Sequence, residues 1–160
     1  ISAIGQGFVL TNPFQLAVMT SIIASNGKII EPTIIKGNRV SFKTNDKYSK
    51  EIKIIKKAMF KVVNENKGTA FKSRLEDIKF AGKTGTSQVR RISLSERESD
   101  DFREKEQEWK NRDHALFVGY MPYDDPKYSI SVIIEHGGSG ASTAAPIAKQ
   151  IFNYINELEV

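Results

Sequence analysis

The chain has 160 residues, 39% of them hydrophobic and 27% charged, with no cysteine and a net charge of +5. That is long enough for one domain with its own core and too apolar for disorder, and the lack of thiols excludes disulfides, thiolate metal sites and cysteine nucleophiles. No apolar run reaches the ~20 residues of a membrane helix, and much of the basic excess is diffuse, along Lys36 to Lys72, without a basic stripe or a nucleic-acid fold motif, so it reads as solvated surface and not as a nucleic-acid site.

The opening Ile1-Ser2-Ala3-Ile4-Gly5 has neither an initiator Met nor a basic leader and reads as the interior of a longer protein. Asn12-Pro13-Phe14-Gln15 is a helix start: a capping side chain, a proline at the first helical position and a capping-box partner. Leu16, Met19, Ile22 and Ile23 form its apolar stripe, and Asn26-Gly27 supplies a left-handed stop. Lys28 to Ile35 is extended and interrupted by Pro32; Gly37-Asn38 is a turn, and Val40 to Lys43 suits a short strand. A second helix is expected from about Ser49 to Asn66, with Ile52, Ile55, Met59, Val62 and Val63 inward and lysines opposite, ended by Gly68.

The first core strand is placed at Phe80 to Val89. Arg90 to Asp113 is rich in charge and short of apolar residues; residues 91–112 read as a surface insert docked by Trp109, and Ser95-Glu96-Arg97-Glu98 resembles a capping box. Ala115 to Met121 is a buried-type strand, Pro122 to Pro126 a loop, and Tyr128 to Ile134 an alternating strand. Gly137 to Gly140 reads as a flexible turn, either an ordinary loop or the rim of a site. Pro146 opens a last helix with Ile147, Ile151, Tyr154, Ile155 and Leu158 on its apolar side. Strands in hairpin-like order without βαβ crossovers point to an α+β fold, an antiparallel sheet with helices packed on it.

Lys83-Thr84-Gly85-Thr86 carries the chemistry. Acyl transfer needs a nucleophile, a base, donors for a developing oxyanion, and a way to hold an extended substrate. An exposed strand edge does the last by main-chain pairing. Lys83 sets a positive charge beside an anionic group, Gly85 leaves room for close approach, and Thr84 and Thr86, two apart, offer hydroxyls on one face. Lys-Thr-Gly is also one of three motifs of the serine acyl-transferases that react with penicillin.

The surrounding residues carry a wider resemblance. Ile4-Gly5-Gln6-Gly7 with Thr11, Pro13, Gln15, Leu16 and Ala17, then Gly68-Thr69-Ala70, Ala81 to Thr86, Asp113-His114-Ala115 with Phe117-Val118-Gly119-Tyr120, and Val132 to Gly138 with Ala144 to Ala148 follow one another as in class B penicillin-binding proteins. The likeness covers nearly the whole chain and is weakest at Ile34 to Lys67 and Arg91 to Arg112. It implies the C-terminal segment of a single transpeptidase domain with a serine β-lactamase-like fold, spanning residues 1–160. It implies that Lys83 contacts a serine of the middle motif and the carboxylate of the substrate or β-lactam. Thr84 and Thr86 would help bind that carboxylate, the Thr86 N–H would be one oxyanion donor, and Gln88 and Val89 would continue the substrate-pairing edge; Gly5-Gln6-Gly7 would be structural.

Two of the three motifs are not credible here. Ser25-Asn26-Gly27-Lys28 matches Ser-x-x-Lys as a string, but a nucleophile should open a helix so that its lysine falls one turn on, whereas Asn26-Gly27 closes one. No Ser-x-Asn occurs. The chain alone is therefore expected to be inactive, its nucleophile lying in a preceding part of the domain, and to expose apolar surface where that part packs. The resemblance implies peptidoglycan stem peptides and β-lactams as ligands, and an elongation-complex glycosyltransferase and scaffold as partners. It implies the periplasmic face of the bacterial inner membrane, reached only through an N-terminal anchor, and neither a metal nor an organic cofactor. The alternative is a β-lactam sensor or scaffold module of the same fold without turnover. His114 and His136, beside Asp113 and Glu135, are read as strand-end polar residues in preference to a catalytic pair or metal site.

Overall fold

The computed structural model describes residues 10–36, 42–44, 46–89 and 108–158. The Gly5-Gln6-Gly7 segment, the Gly37-Asn38 turn, Val40-Ser41 and most of the charged segment with its Ser95-Glu96-Arg97-Glu98 motif lie outside these residues.

Helix α1, Pro13–Ala24, begins at the expected box: the Asn12 side chain accepts from the Gln15 N–H at 2.9 Å, and the Gln15 side chain accepts from the Asn12 N–H at 3.1 Å. It ends in a two-bond left-handed stop. The Gly27 N–H donates to the Ile22 carbonyl at 2.8 Å and the Asn26 N–H to the Ile23 carbonyl at 3.2 Å, with Asn26 at φ 60° and Gly27 at φ 95°. The expected stripe is corrected in part: Ile23 packs against the core and Leu16 and Ile22 are half-buried, but Met19 is exposed and the buried residues are Thr20 and Ala24. A helix apolar on all sides has no single stripe to read; here the small side chains face the sheet and let it approach, so that the Ser129 hydroxyl donates to the Ala17 carbonyl at 3.1 Å. On the outer side Phe14, Met19, Ile22, Pro32, Tyr48 and Ile52 line an open apolar groove of about 500 Å³.

β1, Lys28–Ile30, and β2, Phe42–Thr44, pair antiparallel as a separate small sheet. Helix α2, Ser49–Asn64, buries Met59 and Val63. Ile55 is exposed and, contrary to the expectation of lysines outward, Lys56 points in: its Nζ donates to the Ala24 carbonyl at 2.8 Å and to Asn26 Oδ1 at 2.9 Å. A cation on the last carbonyls of α1 meets the negative end of that helix, which is why one lysine of the stripe belongs inside. Burial holds its ammonium below the ordinary value, partly offset by Asp124.

The main sheet has the order β3-β4-β5, antiparallel throughout: β3 is Ala81–Ser87, β4 His114–Met121 and β5 Tyr128–Ile134. Val63, Phe80, Phe117, Val132, Ala148 and Phe152 form one buried cluster, and Ala24, Met59, Ala81 and Tyr120 another, so α2 contributes to both. Helix α3, Ala145–Leu158, closes the chain. Its buried line is Ala145, Ala148 and Phe152, with Ile147 and Ile155 partly buried. Three residues of the expected apolar side, Ile151, Tyr154 and Leu158, are exposed, the last two at 61% and 68%. Alanines allow close packing, and the Phe152 ring reaches the Phe80 ring at 5.1 Å, so the adjacent line wins.

Tyr120 is fully buried, and its hydroxyl has no hydrogen-bond partner among the described residues. Burial, then Tyr123 and Asp124 nearby, push its phenol well above the ordinary value. The native phenol therefore stays protonated where the unfolded chain's ionises, so its contribution is complete below pH ~10 and is lost as pH rises beyond that. Tyr120→Phe is expected to leave stability at pH 8 unchanged or raised by up to ~1 kcal/mol, and to flatten the decline above pH ~10; denaturant unfolding across that range reads both.

Candidate active site

β3 owes its position to what packs without side chains around it. Gly82 pairs with Gly119 across the β3–β4 ladder, and the Phe117 ring lies over both. A Cβ on Gly82 would come within 2.2 Å of the Phe117 Cζ, and one on Gly119 within 2.8 Å of its Cε1. The two glycines thus admit a buried aromatic flat against backbone, and Phe117 in turn meets Phe80 edge to face at 6.4 Å. Upstream, Asn64 on α2 donates from Nδ2 to the Phe80 carbonyl at 2.9 Å and fixes where the chain enters β3.

From that entry the pleat distributes the motif. Lys83 and Gly85 pair with Val118 and Leu116 on one face; Thr84 and Thr86 pair with Phe117 and Ala115 on the other. The two hydroxyls therefore share a face as expected, and Lys83 does not lie on it. Lys83 and Thr86 are exposed, and among the described residues β3 is an edge strand of its sheet. The Lys83 ammonium donates to the Thr84 carbonyl at 2.6 Å. That carbonyl thus faces the free edge and not β4, and the alternation of an antiparallel ladder turns the Thr86 N–H to the same edge. Gln88 and Val89 fall beyond the strand, which ends at Ser87, so a ladder continuing through them is not formed in the chain itself.

A Cβ on Gly85 would meet the Leu116 Cβ at 3.3 Å, tighter than most such contacts. The close approach comes from Gly140, the start of a short wide turn, Gly140–Ala144, that leads into α3. A Cβ there would fall 2.3 Å from the Gly85 carbonyl oxygen and 2.4 Å from that of Leu116. Gly140 is thus buried beneath the motif, while Gly137 and Gly138 are half-buried and Ser139 is exposed. The signal was a glycine run just before a helix, indistinguishable in sequence from a loop.

Thr69 stands beside the motif without a local sequence signal to place it there. Its hydroxyl lies 2.8 Å from that of Thr84. Fifteen residues separate them, and no spacing rule joins a loop to a strand at that distance.

His114 and His136, separated in sequence, meet at the far end of β3, where Ser87 pairs with His114. Their rings are 4.8 Å apart, the His136 N–H donates to His114 Nδ1 at 2.9 Å, and His136 Nδ1 is 3.1 Å from the Arg112 carbonyl. The Trp109 ring sits 4.4 Å from His136 while the residue remains 62% exposed. These ring nitrogens are committed to backbone, and among the described residues no three His, Asp or Glu side chains converge as a metal site would require. Ser25 lies at the C-cap of α1, its hydroxyl directed to the Ile22 and Lys28 carbonyls at 3.3 Å.

The architecture is that of the penicillin-binding transpeptidases, an α+β fold with Lys-Thr-Gly on a sheet edge. The chain matches the penicillin binding protein transpeptidase domain over residues 1–153 and belongs to that family. It is 34% identical to the peptidoglycan D,D-transpeptidase MrdA of Haemophilus influenzae, over 94% of this chain and 24% of that protein. Penicillin-binding protein PBP2 from Helicobacter pylori superposes with a TM-score of 0.79 at 31% identity, covering 98% of this chain and 26% of the other. The same protein in complex with MreC gives 0.78 at 32% identity, covering 98% and 27%. The likeness is thus to the PBP2 type of class B penicillin-binding proteins, and the chain spans about a quarter of the length of these relatives.

Gly140→Ala would press a methyl into two backbone carbonyls that cannot turn aside. A loss of about 1–3 kcal/mol is expected, read as a lowered thermal midpoint, whereas Gly138→Ala, with open space around its Cβ position but φ 79°, should cost only ~1 kcal/mol through backbone strain.

Proposed function

We propose that this chain is the C-terminal part of one class B transpeptidase domain, and that it contributes the Lys-Thr-Gly strand to a site completed by a serine from the preceding part. In that reaction the serine oxygen attacks the carbonyl between the two terminal D-alanines of a stem peptide. The peptide bond breaks, D-alanine leaves with the proton, and a neighbouring amine then displaces the serine to form the cross-link. β-Lactams acylate the same serine through opening of their ring. The single observation that carries this reading is the geometry of β3: an edge strand whose Thr84 and Thr86 share one face while the Thr86 N–H turns to the free edge.

Each residue then has a role. The Lys83 ammonium neutralises the substrate carboxylate and lies within reach of a middle-motif serine; in the chain as it stands it rests on the Thr84 carbonyl, an exposed bond that a ligand can replace. Thr84 and Thr86 donate hydroxyls to that carboxylate. The Thr86 N–H stabilises the oxyanion together with the N–H of the nucleophile. Gly85 keeps the strand narrow, and Gln88, just past it, meets the extended substrate. The likeness to PBP2, one structure of which is a complex with MreC, supports a scaffold partner of that kind. An elongation glycosyltransferase partner and a site on the periplasmic face of the inner membrane, anchored by an N-terminal segment, complete the proposal.

The test is acylation by a fluorescent penicillin followed by intact mass. The 160-residue chain should take no adduct, and the full-length protein should take one. In the latter, Lys83→Ala should slow acylation by about 10²–10³. A stoichiometric adduct on the short chain would place a reactive serine within it, with Ser25 the first to examine, and would overturn the reading.

A further inference from the structure

A threonine hydroxyl has one proton and two acceptor sites. To bind a carboxylate, Thr84 must direct its only proton outward, since an acceptor turned toward an anion repels it. A hydroxyl on a strand edge is otherwise free to rotate and to donate to nearby carbonyls. The second hydroxyl 2.8 Å away removes that freedom. If Thr69 donates to Thr84, one acceptor site of Thr84 is filled and its proton is left for the ligand. The opposite polarity would present only lone pairs. An anion at Thr84 therefore selects the order Thr69 to Thr84 to carboxylate, and hydroxyls linked in this way polarise one another.

Thr69 is held for this task by backbone and not by chance contact. After α2 the chain folds back on the helix's last turn: the Gly68 N–H donates to the Glu65 carbonyl at 2.8 Å, the Ala70 N–H to the Val62 carbonyl at 3.0 Å, and the Phe71 N–H to the Gly68 carbonyl at 3.1 Å. The fold-back is so tight that a Cβ on Gly68 would lie 2.2 Å from the Val62 carbonyl oxygen. Ala70 beside it is fully buried in the main core. Asn64, at the end of the same helix, bonds the Phe80 carbonyl and so ties this turn to the start of β3. One rigid unit thus carries Thr69 on one side and the entry to Thr84 on the other.

We propose that Thr69 is a positioning residue that orients the Thr84 hydroxyl toward the anionic group of the ligand; this rests on the reading of Thr84 as a carboxylate ligand. The experiment uses the full-length protein and two probes, a penicillin with its free carboxylate and the methyl ester of the same penicillin, and reads the second-order acylation rate. Thr69→Val should slow the acid by about three- to tenfold and leave the ester within about twofold. Thr69→Ser, which keeps the hydroxyl, should restore the acid rate. Combining Thr69→Val with Thr84→Val should do no further harm beyond Thr84→Val alone, as expected of two groups acting as one. Melting midpoints should stay unchanged, since Thr69 is exposed. Equal slowing of both probes, no slowing, or no rescue by Thr69→Ser would overturn the role of Thr69 while Thr84→Val still discriminates acid from ester. If Thr84→Val itself fails to discriminate, the carboxylate reading falls and Thr69's role falls with it.

Discussion

Backbone lying directly against other atoms at three glycines is the constraint on which this structure depends. Gly82 and Gly119 face each other beneath the Phe117 ring, and Gly140 rests on the Gly85–Leu116 pair. Each contact is too short for a Cβ. Together they place β3 by hard-core repulsion, which rises steeply with distance and admits little play. A strand proposed to present hydroxyls and an N–H to a ligand gains more from such contacts than from hydrogen bonds, which bend. The buried aromatics Phe80, Phe117 and Phe152 then supply cohesion around a position already fixed.

The two faces of β3 divide the chemistry. Lys83 and Gly85 belong to the side that carries Ala81 and Tyr120, near α1 and α2; Thr84 and Thr86 belong to the side of Phe117 and α3. On the proposed reading, a charge and two hydroxyls that serve one anion from opposite faces meet only at the strand's free edge. This explains why the edge position matters as much as residue identity. In a central strand the same four residues would be separated by the sheet itself.

Much of this was legible in the sequence, and the failures share a cause. The capping box at Asn12, the stop at Asn26-Gly27, the three core strands and the edge motif were readable because each is a local signal: a fixed offset, a turn residue or an alternation. The helix faces were not. On α1 and α3 more than one line of residues is apolar, and the line that turns inward is set by the small side chains Ala17, Thr20, Ala145 and Ala148, whose advantage is close approach and not hydrophobicity. Lys56 was misplaced because its partner, the C-terminus of α1, is thirty residues away in sequence. Thr69 and Gly140 escaped for the same reason: what each touches is decided by tertiary packing. The α+β class and the family needed none of these details.

The β3–β4 pairing has a consequence for how this fold can vary. In a tight hairpin the turn dictates the register. Here residues 88–113 intervene between the paired strands, and a connection of that length has no say in which residue meets which. The alignment is keyed instead by the opposed glycines and the ring that covers them. Chain-closure entropy grows only logarithmically, so doubling such a segment costs about 0.6 kcal/mol. The stretch between the strands is therefore open to insertion, deletion and wholesale recomposition under selection for other ends, while the Lys-Thr-Gly strand beside it stays in register.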